Sequence, residues 1–105
     1  MATTPATLFR GAATTTVTTV LYTVPASTTA IVTNIAVTNT AGTAATFTIS
    51  LGPSATPISL FTTSAIPANS TIFIDLKQPL TATQVFRGGA SATTVNFHVA
   101  GVTIA

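Results

Sequence analysis

Apolar side chains recur at every second position through much of this chain, and that period of two confines it to β-strands. Phe47, Ile49 and Leu51 alternate with Thr46, Thr48 and Ser50. Ile72, Ile74 and Leu76 alternate with Thr71, Phe73, Asp75 and Lys77, and Val95, Phe97 and Val99 with Thr94, Asn96 and His98. Successive side chains of a strand point to opposite faces, so each run has one apolar and one polar face. A longer run places Ile31, Thr33, Ile35 and Val37 on one face and Val32, Asn34 and Ala36 on the other. Helix is a poor competitor. Glu is absent, Lys, Gln and Arg are scarce, and the strand-favouring Thr fills roughly a quarter of the 105 residues.

Turn-forming residues divide the runs. Pro25-Ala26-Ser27 ends a strand around Val17 to Val24, and Asn39-Thr40-Ala41-Gly42 is expected to form a hairpin into a strand around Ala44 to Leu51. Gly52-Pro53-Ser54 closes that strand, and a short one follows near Ile58 to Thr62. Pro67-Ala68-Asn69 precedes a strand from Thr71 to Lys77, which Gln78-Pro79 ends. Gly88-Gly89 separates a strand near Gln84 to Arg87 from the last one. There the apolar set jumps from Val99 to Val102 and Ile104, which predicts a bulge at Ala100-Gly101. Short strands at this spacing predict an all-β fold, an antiparallel β-sandwich of jelly-roll or immunoglobulin-like type. Its expected core is Val24, Ile31, Ile35, Val37, Phe47, Ile49, Leu51, Ile72, Ile74, Leu76, Val95, Phe97 and Val99.

Residues 1–15 read differently, as an extended N-terminal arm ahead of a sandwich domain at 16–105. The arm is small, polar and Pro-containing apart from Leu8 and Phe9, which either lie on a neighbouring subunit or cover an edge of the chain's own sandwich.

Charge sets the second constraint. Only 4% of residues are Asp, Glu, Lys or Arg, against about 25% in a typical soluble domain. The exterior must then be built from Thr, Ser, Asn and Ala, a surface wetted by water yet cheap to desolvate against a partner. The net charge of +2 rests on Arg10, Lys77 and Arg87, too few and too scattered to neutralise a row of phosphates, so direct nucleic-acid binding is not expected. No window reaches the length of a membrane-spanning helix, and Met1 to Gly11 lack the pattern of a secretory signal. A membrane partner is therefore not expected. The lack of Cys fits synthesis in a cytoplasm.

The inventory for chemistry is short: one His, one Asp, no Glu and no Cys. Paired carboxylates and metal sites of three protein ligands cannot be assembled within one chain, and no phosphate-binding or dinucleotide-binding glycine pattern occurs. A Ser-His-Asp set from His98 and Asp75 would need a freely chosen serine, because Gly-x-Ser-x-Gly is missing. No catalytic residue, metal ligand or cofactor site is expected. The residues expected to touch other proteins are Leu8, Phe9, Arg10, Phe73, Arg87 and His98.

Leu21-Tyr22-Thr23-Val24-Pro25-Ala26, followed by Thr29 to Ile35 and by Val37-Thr38-Asn39-Thr40, resembles small β-sandwich virion proteins of tailed bacteriophages. Ile66 to Thr71 and Val99 to Ile104 continue the likeness, which runs from about Leu8 onward. It departs from many relatives at Leu80 to Gln84, where an acidic residue is missing. The resemblance implies a non-enzymatic structural role in the virion, with no catalytic residue carried over. A stand-alone domain with an arm suits a capsid decoration (cement) protein that binds the outer shell and bridges major capsid subunits. It would be a homo-oligomer, with a trimer favoured by the local three-fold positions of a shell, and would sit on the capsid surface after synthesis in the host cytoplasm. The alternatives are a tail, neck or baseplate component and a glycan-binding module.

Overall fold

In the computed structural model, which describes residues 3–53, 55–56 and 58–105, eight strands follow one another: β1 (Thr3–Ala12), β2 (Val20–Thr23), β3 (Thr29–Asn39), β4 (Ala45–Gly52), β5 (Ile58–Ile66), β6 (Ser70–Leu80), β7 (Val85–Ala90) and β8 (Val95–Ile104). Every pairing is antiparallel. The first sheet has the order β1-β8-β3-β6 and the second β2-β7-β4-β5. Only β4 and β5 are both sequential and paired; every other connection crosses between sheets. This is the double Greek key of an eight-stranded jelly roll. It is not the immunoglobulin order, in which the first two strands are neighbours.

The core lies between the sheets. Val24, Val32, Ile35, Val37, Phe47, Ile49, Ile66, Phe86, Val95, Phe97 and Val99 are buried there. Phe47 centres the aromatic packing, 6.3 Å from Phe97 in an edge-to-face contact and 5.8 Å from Phe61. Each such side chain contributes about 1.5–3 kcal/mol by leaving water. Ile72, Ile74 and Leu76 also point inward, but β6 is an edge strand and they are only half-buried.

Several expectations need correction. Residues 3–12 are not an arm. They form edge strand β1, paired with β8 from Thr3↔Ile104 to Ala12↔Asn96, because Leu8 and Phe9 gain more by covering their own core. Met1 and Ala2 lie outside the described residues. The Asn39–Gly42 segment is a crossover between sheets rather than a hairpin. Gly88 and Gly89 lie inside β7, and Gly89 is Gly because backbone crosses there. A Cβ on Gly89 would stand 2.6 Å from the Thr16 carbonyl oxygen and 2.7 Å from the Val17 α-carbon. Pro79 does not end β6. It and Pro5 sit within the two edge strands of the first sheet, where the missing N–H falls on the open side.

The bulge is also displaced. β8 keeps strict alternation, with Val95, Phe97, Val99 and Gly101 all facing inward. The extra residues are Leu8 in β1 and Thr33 in β3, on either side of Gly101. The Thr33 bulge reverses the phase of β3, so Val32 is buried and Ile31 faces out.

One end of the sandwich is held by Asn39. Its Nδ2 donates to the Thr43 carbonyl at 2.8 Å and to the Pro67 carbonyl at 3.4 Å. Its Oδ1 accepts from the Ala41 N–H at 3.1 Å and the Thr94 hydroxyl at 3.3 Å. One buried amide thus ties together the β3–β4, β5–β6 and β7–β8 connections.

Candidate interaction face

The cross-strand registers make the outer face of the first sheet a set of rows, each contributed by β1, β8, β3 and β6 in turn. One row reads Arg10, His98, Ala36, Phe73. On one side lies Ala12, Asn96, Thr38, Thr71, and on the other Thr7, Ala100, Asn34, Asp75. Beyond the bulges comes Pro5, Val102, Ile31, Pro79, a row apolar from edge to edge. An apolar row on a solvent-facing sheet is informative in a way that a single exposed Leu is not.

Phe73 stands out on this face at 72% exposure, because its neighbours in the row are small or polar and β6 has no further strand beside it. Three sheet spacings, about 14 Å, separate it from Arg10 at the opposite edge. The Asp75 carboxylate is held by Asn34, whose Nδ2 donates to Oδ1 at 3.0 Å. Thr38 and Thr71 share a hydroxyl hydrogen bond of 3.0 Å. Lys77 also faces outward on β6. Three of the chain's four Asp, Lys and Arg residues therefore stand on one face, Arg10 at the β1 edge and Asp75 and Lys77 at the β6 edge.

The residues singled out from the sequence divide in three. Arg10, His98 and Phe73, distant in the chain, fall in one row. Leu8, 7% exposed, and Phe9, half-buried, face the core of their own sandwich. Arg87 lies on the outer side of the second sheet, opposite Ser50 of β4 and Val20 of β2. Missed altogether were Pro5, Ile31, Val102 and Pro79. Both prolines were visible in the sequence, but their alignment follows from strand order.

His98 and Asp75 are two strands apart, about 10 Å, which leaves no direct hydrogen bond of the kind a catalytic relay uses. Among the described residues no three His, Cys, Asp or Glu side chains come together. A groove of about 300 Å³ runs along the edge between β5 and β6, lined in part by Leu51, Ile58, Leu60, Gln78, Pro79 and Gln84. Ile58 on its rim is 69% exposed.

No protein-family model matches the sequence, and no curated protein matches it. Similar solved structures include two of a pentameric capsid protein isolated from metagenomic phage sequences, one of them solved by iodide SAD phasing. Identity is 14% in each case and the match covers 95% of this chain, with TM-scores of 0.45 and 0.39. The chain spans only 60% and 61% of the length of those two proteins.

Proposed function

We propose that this chain is a non-enzymatic structural protein of a tailed-phage virion, a decoration protein that binds the outer shell and bridges major capsid subunits. The reading rests on the sequence resemblance and is carried by one observation of the surface. Large apolar side chains stay in water at separate places, among them Phe73 on the outer face of the first sheet and Ile58 at the edge of the second. A bridging protein must touch its neighbours in at least two places. A chain with 4% charged residues gains solubility from few ionic groups, so contact with other proteins is its favoured state.

Mechanically, each bound copy would add buried area across a junction between shell subunits. The gain per junction is modest, but many junctions act together against the pressure of packaged DNA. The test is a copy count on purified particles by quantitative mass spectrometry, with deletion of the gene. Hundreds of copies per particle, with deleted particles that keep their tails but burst at lower temperature, are the expected result. Absence from particles overturns the proposal, and a handful of copies located at the tail replaces it with a tail, neck or baseplate role.

A further inference from the structure

We propose that two copies of this chain pair through the outer face of the β1-β8-β3-β6 sheet, about a two-fold axis running parallel to the strands between β8 and β3. The geometry follows from the rows. Such an axis lays β1 of one copy over β6 of the other and β8 over β3, and it places every row on itself. Self-complementarity of this kind is what a two-fold interface requires.

Each row satisfies it. In the apolar row Pro5 meets Pro79 of the second copy and Val102 meets its Ile31, so apolar surface covers apolar surface. In the charged row the Arg10 guanidinium lies over the Phe73 ring of the second copy, an arrangement that cation and ring both favour. Asp75 is one row further along β6, within reach of the same guanidinium. His98 meets Ala36, whose methyl leaves room for the imidazole. Lys77 falls against the Thr7 region, so no like charges are brought together. Every contact occurs twice by symmetry.

The area is sufficient. Four strands of about ten residues present roughly 600 Å² a side, or ~1,200 Å² in total, at the lower end of the range for specific interfaces. Two stacked sheets would pack about 10 Å apart, as the sheets of one sandwich do. The face therefore favours two-fold pairing in place of the trimer expected from the sequence. The pairing goes beyond the virion role: it makes a second copy the neighbour that Phe73 touches and leaves Ile58, at the edge of the other sheet, for the shell.

Analytical ultracentrifugation of the purified full chain, from micromolar to roughly millimolar concentration, tests the proposal. A monomer–dimer equilibrium is expected. Arg10→Asp or Asp75→Arg alone should weaken the dimer about tenfold, and the double exchange should restore most of the loss. Ser50→Asp, on the outer side of the opposite sheet, should leave it unchanged. Arg10 and Asp75 are exposed, so folding should survive, which an amide NMR spectrum of each variant would check. A chain that stays monomeric at the highest concentration overturns the pairing, as does a double exchange no better than the single ones, or association weakened equally by Ser50→Asp. A monomer that still enters particles overturns the pairing alone; a dimer absent from particles overturns only the virion role.

Discussion

Gly101 lies with its α-carbon against the backbone carbonyl of Ile31, where β1 and β3 each carry an extra residue and β8 carries none. A methyl at Gly101 would collide with that carbonyl oxygen and come within 3.1 Å of Leu8 Cδ1. Gly101→Ala is expected to cost about 1–3 kcal/mol, read from the urea midpoint. At Gly42 a Cβ would meet nothing within 4 Å, so Gly42→Ala should stay within about 0.5 kcal/mol of the parent.

The phase of β3 can be tested with neighbouring residues. Val32 is fully buried and Ile31 faces out. Val32→Thr strands a hydroxyl in the core and should cost about 1–3 kcal/mol. Ile31→Thr, measured at low protein concentration, should cost less than about 1 kcal/mol. Equal losses would show that the Thr33 bulge does not reverse the strand.

Asn39 makes its contacts as both donor and acceptor, and a carboxylate there could only accept. Asn39→Asp would set a negative charge against the carbonyl oxygens of Thr43 and Pro67. The variant should be about 3 kcal/mol less stable than the parent at pH 7. The new carboxyl would have its pKa raised in the folded state relative to the unfolded chain, where it is about 3.9. Its proton is then held more tightly by the folded protein, so the deficit should grow as pH rises above the unfolded value and shrink as pH falls back toward it. Urea unfolding between pH 4 and pH 7, on the order of the titration range of a displaced carboxyl, would follow the effect.

Phe73→Ser removes a ring that is 72% exposed. The monomer should keep its stability within about 0.5 kcal/mol, while self-association at high concentration should weaken. Unfolding and sedimentation measured on the same sample separate the two effects.

The sandwich was legible in the sequence because alternation survives in β4 and β8, where Phe47, Ile49, Val95, Phe97 and Val99 all face the core as their period demands. What failed was phase across neighbours. Ile31, Val102 and Ile104 are apolar and were therefore assigned inward. Unbroken alternation in β8 sends Val102 and Ile104 outward, and the Thr33 bulge, two residues further along β3, turns Ile31 outward. A bulge leaves little trace in local sequence when the inserted residue is an ordinary Leu or Thr. Gly89 misled for a related reason, since close backbone crossing and turning both call for Gly, and only the crossing of Thr16 and Val17 distinguishes them. Arg10, His98 and Phe73 were each visible as outward or charged residues. Their alignment depends on β8 lying between β1 and β3, a relationship set by strand order and not by any local pattern.

Pro5 and Pro79 occupy opposite borders of the same sheet. Each interrupts the line of backbone donors that an incoming strand would need in order to lengthen the sheet sideways. Endless ribbons of this molecule are thereby discouraged at both flanks. In a polypeptide with so little charge to keep its copies apart, this closes one route to fibres, the sideways growth of the β1-β8-β3-β6 sheet.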